Sequence, residues 1–194
     1  MTVSILGVVL AGGQAKRMKG QAKGLVPFKE RALMSYALEA LSSVCDRVMV
    51  NANVEIPSYE ALGYSVFSDV VPYLDKGPLS GIYAALLHAQ EGGFSHLMLS
   101  PCDTPYVDKT VFLLLKHHAE LELDRLFFME SVSGVQPLHT IMPVIGALVK
   151  LGVFLQNENK VMHFYRGLRA QSIRWEDEQT FININYLKQL TDGT

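Results

Sequence analysis

Short apolar runs alternate along the chain with longer stretches in which apolar residues return every three or four positions. Ile5 to Leu10 is apolar without alternation, the pattern of a strand buried on both faces of a parallel sheet. Arg47 to Val50 and His96 to Leu99 predict two further strands. Between them, Met34, Leu38 and Leu41 share one helical face, and Val111, Leu114, Leu115 and His118 share another. A third helix is predicted over Ser80 to Gln90, with Ser80 as its cap and Gly92-Gly93 as its stop. Strand and helix in this order imply parallel pairing, so the fold class is α/β. Later in the chain, Leu126 to Met129 and Gln136 to Met142 predict strands, the second weakened by Pro137. Val144 to Leu155 and Lys160 to Ala170 predict helices. Phe181 to Asn185 alternates with period two, which puts Asn183 and Asn185 on one face of a strand. No linker, repeat or low-complexity stretch interrupts the pattern, and residues 1–194 read as a single domain.

Composition narrows the class. A chain of this length buries roughly 70% of its unfolded surface and needs no metal or disulfide staple. Lys plus Arg total 17 against 19 Asp plus Glu, a formal charge of −2. That excludes the broad basic field of a protein that tracks a nucleic-acid backbone, so no nucleic-acid partner is expected. Cys45 and Cys102 form no CxxC, and no Cys/His cluster has zinc spacing. The plain expectation is a reducing, cytoplasmic setting. The run Ile5 to Leu10 is too short to cross a bilayer, and Pro143 and Gly146 interrupt Ile141 to Val149, so no membrane span is expected.

The chemistry gathers where the three clearest strands end. Their termini run into Ala11-Gly12-Gly13, Asn51-Ala52-Asn53 and Pro101-Cys102-Asp103. Ligands of open parallel sheets sit beyond the carboxyl ends of the strands, so these segments should face one cleft. Gly12 and Gly13 allow close backbone approach to an anion, and Lys16, Arg17, Lys19 and Lys23 follow them. This basic, glycine-rich loop suits a polyphosphate; it also fits a solvated turn with ordinary surface lysines. Neither GxxxxGK[ST] nor GxGxxG follows the first strand, which disfavours P-loop and dinucleotide chemistry. Asp103, at a strand end opposite that loop, is the candidate ligand for Mg²⁺ on a triphosphate, with a turn or helix cap as its plainer role. Gly77 to Gly81 opens the third helix, where its amides suit a phosphate or serve only a tight turn. The histidines, His139 included, and the Cys102 thiol are read as packing groups.

In order, Leu10-Ala11-Gly12-Gly13, Arg17-Met18, Lys23-Gly24-Leu25, Val50-Asn51-Ala52-Asn53, Ser68-Asp69, Gly77-Pro78-Leu79-Ser80-Gly81, Pro101-Cys102-Asp103-Thr104-Pro105, Gln136-Pro137-Leu138 and Asn183-Ile184-Asn185 resemble the motifs of the molybdenum cofactor guanylyltransferases. The resemblance implies a Rossmann-like three-layer sandwich with a mostly parallel central sheet, of the nucleotide-diphospho-sugar transferase type. It implies transfer of GMP from Mg²⁺-bound GTP to the phosphate of molybdenum-molybdopterin, with release of pyrophosphate, and other cofactor-assembly proteins as partners. Carried over by motif, Leu10, Ala11, Gly12 and Gly13 contact the nucleotide, Lys23 and Arg17 serve its phosphates, and Asn51 and Asp69 hold the nucleoside. Asp103 binds the metal, while Gly81, Gln136, Asn183 and Asn185 border the pterin. Two positions depart from the family: Lys19 stands where glycine is usual, and Ala22 where aspartate precedes the lysine. The lost carboxylate removes a partner for neighbouring cations and loop amides. Cytidylyl transfer to the same pterin, nucleotidyl transfer to a sugar phosphate, and a non-catalytic GTP-binding accessory role are the alternative readings.

Overall fold

The computed structural model describes residues 2–12 and 22–184. Its centre is a seven-stranded sheet in the order β5-β4-β1-β6-β8-β7-β9. These strands are β1 (Ile5–Leu10), β4 (Arg47–Asn51), β5 (Ser65–Phe67), β6 (His96–Pro101), β7 (Leu126–Ser131), β8 (Gly134–Pro143) and β9 (Ala170–Trp175). Two short strands, β2 (Pro27–Phe28) and β3 (Arg31–Ala32), pair as a separate hairpin. Neighbours in the main sheet run parallel except β8, which is antiparallel to both β6 and β7.

The central strand β1 shows why the sheet is mostly parallel. It is buried on both faces, as its unbroken apolar sequence requires. Ile5 and Val9 face a core built with α1 (Ser35–Ser42) and α4 (Lys109–Leu121), through Leu38, Leu41, Phe112 and Leu115. Leu6 and Val8 face a second core built with α3 (Pro78–Glu91), α5 (Val144–Phe154) and α6 (Val161–Arg166). The result is the three-layer α/β sandwich. Gly7 has a packing reason of its own: a methyl there would sit 2.9 Å from the Cys45 sulfur.

Several elements differ from the sequence expectation. Helix α3 starts at Pro78 and not at Ser80, because a proline needs no N–H partner in the first turn and its fixed φ suits it. The Ser80 hydroxyl instead accepts from the Lys76 backbone N–H at 2.8 Å. The helix predicted from Lys160 to Ala170 ends at Arg166, capped by Gly167, and Ala170 already begins β9 alongside β7. The strand predicted from Phe181 to Asn185 is a 3₁₀ turn over Glu178–Phe181 followed by irregular chain. Asp177 caps that turn at the Gln179 N–H, so local capping outweighs the two-residue alternation. Asn185 lies outside the described residues. Lastly, α2 (Ile56–Glu60) and β5 carry too little periodicity to have been read.

Strand β8 keeps its place despite Pro137. Pairing with β7 runs from Phe128 opposite Thr140 directly to Met129 opposite Gln136, so the residues between bulge out of register. A proline cannot donate to the ladder, and a bulge accommodates it. The freed Pro137 carbonyl accepts from the Tyr165 hydroxyl at 2.7 Å.

Candidate active site

Register brings the predicted strand ends together. Leu10 lies opposite Asn51 of β4 on one side and Pro101 of β6 on the other. The Ala11 N–H donates to the Asn51 carbonyl at 2.8 Å, and the Cys102 N–H to the Leu10 carbonyl at 3.2 Å. These bonds continue the sheet one step past its last paired residues, so Ala11-Gly12, Ala52-Asn53 and Cys102-Asp103 leave the same edge side by side. Gly13 and Arg17 lie outside the described residues, as do Lys16 and Lys19.

Two polar clusters stand on this edge. In the first, Lys23 and Asp103 form an ion pair with Nζ 2.5 Å from Oδ2. Lys23 belongs to a 3₁₀ turn, Lys23–Leu25, tied down by Met34 N–H donating to the Gly24 carbonyl at 3.0 Å. The side chains are 21% and 18% exposed, enough shielding for the pair to be screened less than a surface one. Asp103 Oδ1 is buried and has no hydrogen-bond partner among the described residues. An anionic oxygen left in that state calls for a cation or a donor that arrives with a ligand.

In the second cluster, Asp69 accepts from Asn51 Nδ2 at 3.0 Å and from Asn53 Nδ2 at 2.9 Å, while its own N–H donates to Asn53 Oδ1 at 2.9 Å. Gly12 lies over this group: a methyl there would come within 3.1 Å of Asn51 Oδ1 and 3.3 Å of Asn53 Nδ2. Gly81, in the first turn of α3, closes it from below. A methyl on Gly81 would fall 2.3 Å from Asn51 Oδ1 and 3.2 Å from Leu10 Cδ2. Thus Leu10, Gly12, Asn51, Asp69 and Gly81 share one neighbourhood, and Lys23 and Asp103 form another across the β1 end.

The remaining sequence candidates belong to neither cluster. Gln136 sits at the β7–β8 hairpin and donates to the Ser131 hydroxyl at 3.2 Å. Asn183 is exposed, beside Ile184, whose N–H donates to the Asp103 carbonyl at 2.9 Å. His139 is buried, shares a 3.0 Å hydrogen bond with Thr104 and packs on Phe112 and Phe181. Burial lowers it to about pH 3, so it stays neutral. Burial pushes the Cys102 thiol up to about 12, which makes it a packing group and not a thiolate. Among the described residues no three His, Cys, Asp or Glu side chains gather to hold a metal, so Asp103 stands as a single carboxylate. No described helix is long and apolar enough to cross a membrane. Sequence reasoning passed over Asn53 as a site residue, although its spacing from Asn51 beyond a strand was a usable signal.

Known proteins share this arrangement of chain. The molybdenum cofactor guanylyltransferase of Ralstonia pickettii is 33% identical, across 97% of this chain and 95% of its own. The enzyme of that name from Haemophilus influenzae is 30% identical, across 98% and 97%. In fold, the chain resembles the molybdopterin-guanine dinucleotide biosynthesis protein A of Archaeoglobus fulgidus, with a TM-score of 0.71 at 22% identity over 97% and 95% of the two chains. The family model of the MobA-like NTP transferase domain matches residues 7–172, and the chain belongs to that family.

Proposed function

We propose that the protein transfers GMP from GTP to the phosphate of molybdenum-molybdopterin, yielding the guanine dinucleotide cofactor and pyrophosphate. The observation that carries this reading is the Lys23–Asp103 pair at the sheet edge, with a carboxylate oxygen that is buried and lacks a hydrogen-bond partner among the described residues. The names of the Ralstonia and Haemophilus relatives, similar over nearly their whole length, support the choice of substrates.

Each candidate residue is assigned a part in this reading. Leu10, Ala11, Gly12 and Gly13 line the nucleotide, with the small residues letting backbone approach it closely. Asn51 and Asp69 hold the nucleoside, and Asp69 is kept in one orientation by its amide partners. Lys23, with Arg17, offsets charge on the phosphates. Asp103 fits a divalent cation, since Mg²⁺ is commonly held by one or two carboxylates plus substrate phosphates. When held by Asp103, Mg²⁺ would supply Lewis-acid chemistry that offsets the negative charge on the leaving pyrophosphate. The pterin phosphate is already an anion and needs no strong base. One of its oxygens bonds to the α-phosphorus as the bond from that phosphorus to the β-phosphate oxygen breaks. The protein's task is then positioning and charge neutralisation. Gly81 supports the nucleoside side through Asn51, and Gln136, Asn183 and Asn185 remain proposed for the pterin side.

The test is pyrophosphate release and GMP incorporation with GTP, Mg²⁺ and molybdenum-molybdopterin. Activity is expected to fall about tenfold or more in Lys23→Ala and in Asp103→Ala, with far-UV circular dichroism unchanged. GTP binding without pyrophosphate release, even with loaded pterin present, would replace the enzyme by a binding protein.

A further inference from the structure

Below Lys23 lies a contact that the scheme above does not use. Tyr59, on α2, is fully buried, and its hydroxyl lies against the Gly24 backbone. Its ring presses on Gly24, the middle residue of the Lys23–Leu25 turn. A methyl at position 24 would stand 3.1 Å from both Tyr59 Cε1 and its hydroxyl oxygen, and 3.3 Å from Met34 Cβ. From the other side the Met34 N–H holds the Gly24 carbonyl at 3.0 Å. The turn is therefore held between α2 and the start of α1, closely enough that an added methyl would force its neighbours to give by a few tenths of an ångström. Lys23 adjoins the gripped residue, and its Nζ meets Asp103. Burial raises both Tyr59 and the Cys102 thiol well above neutrality, so neither brings a negative charge under the lysine.

We propose that Tyr59 is a positioning residue that acts through Lys23: its ring, seated on Gly24, fixes where the lysine ammonium meets the phosphates of a bound nucleoside triphosphate. The proposal rests on Lys23 being a phosphate contact. It goes further by assigning a role to a side chain that touches neither substrate nor metal.

A cycle of variants tests it, read as kcat and KM for GTP in pyrophosphate release. Tyr59→Leu is expected to lower kcat/KM about tenfold in the wild-type background. Tyr59→Phe, which keeps the ring, should recover most of that loss. In a Lys23→Ala background, Tyr59→Leu should change kcat/KM by less than about twofold, because the group it positions is gone. An equal loss in both backgrounds would make Tyr59 a purely structural residue and overturn the inference. Gly24→Ala, which disturbs the turn from its other side, must show the same dependence on Lys23 and serves if Tyr59→Leu fails to fold; additivity there overturns the inference too. Full activity in Lys23→Ala alone would instead remove the phosphate reading of Lys23, and this inference with it.

Discussion

Gly81 illustrates how one atom decides between opposing effects. Within an exposed helix, alanine is favoured over glycine by about 1 kcal/mol. Here the added methyl would stand 2.3 Å from the oxygen of Asn51, a residue only 2% exposed and engaged with Asp69. The clash wins, since forcing a group into a packed site costs about 1–3 kcal/mol and the amide has nowhere to turn. Gly81→Ala is thus expected to melt at a lower temperature and to lose much of the thermal protection given by GTP, both readable in one melting assay. His139 supports a prediction about acid. In the unfolded chain it takes up a proton near its ordinary value of 6.5, but in the folded chain only near 3. The unfolded state therefore binds more protons between those values, and stability is full above pH 6.5 and declines as the pH falls toward 3. The slope due to this one group is about 1.4 kcal/mol per pH unit. Urea unfolding at a series of pH values should show His139→Leu less stable at neutral pH, because Thr104 loses its partner, yet less sensitive to acid over that window. An unchanged acid slope would mean that His139 takes up its proton as readily in the folded chain as in the unfolded one.

Among the elements, α5 is apolar on nearly every side, and only its packing separates structural positions from tolerant ones. Leu151 is fully buried against α3 and the sheet, whereas Val149 and Val153 are 68% and 63% exposed. Leu151→Ala should cost about 2–5 kcal/mol in chemical unfolding, and Val149→Gln should stay within about 0.5 kcal/mol. The sequence does not separate these positions, because a helix without a polar face has no periodicity to read. The same reasoning marks what was legible and what was not. The strands β1, β4 and β6 are adjacent and parallel, buried or followed by small polar residues, and their ends were readable together with Gly12, Asn51 and Asp103. The tail from Phe181 and the stretch after Arg166 misled because capping and strand pairing, which depend on distant partners, overrode the local pattern. Tyr59 gave no signal, since a short helix with a left-handed residue, Glu55, at its start has no sequence signature. Its meaning comes from Gly24, remote in sequence and adjacent in space.

At the level of the whole molecule, the two polar clusters hang from different strands of one sheet, so a ligand that spans them ties together parts of the chain far apart in sequence. The Asn51–Asp69 cluster depends on β4 and β5, and the Lys23–Asp103 pair on β6 and the turn before β2. A ligand held by both binds only the folded chain and stabilises it by mass action: about 2.7 kcal/mol at a hundredfold excess over its Kd. In a protein of this size that raises the melting temperature by roughly 5–10 °C. GTP with Mg²⁺ is expected to give a rise of that order, and CTP with Mg²⁺ a much smaller one. Adding EDTA to the GTP sample should remove most of the rise, because the Asp103 oxygen that lacks a partner among the described residues would then lack its cation while the triphosphate faces the carboxylate directly. In Asp103→Ala the effect of EDTA should vanish, since no carboxylate remains to be neutralised. Equal protection by GTP with and without EDTA in the wild type would detach Asp103 from the metal and leave Lys23 as the site's phosphate anchor.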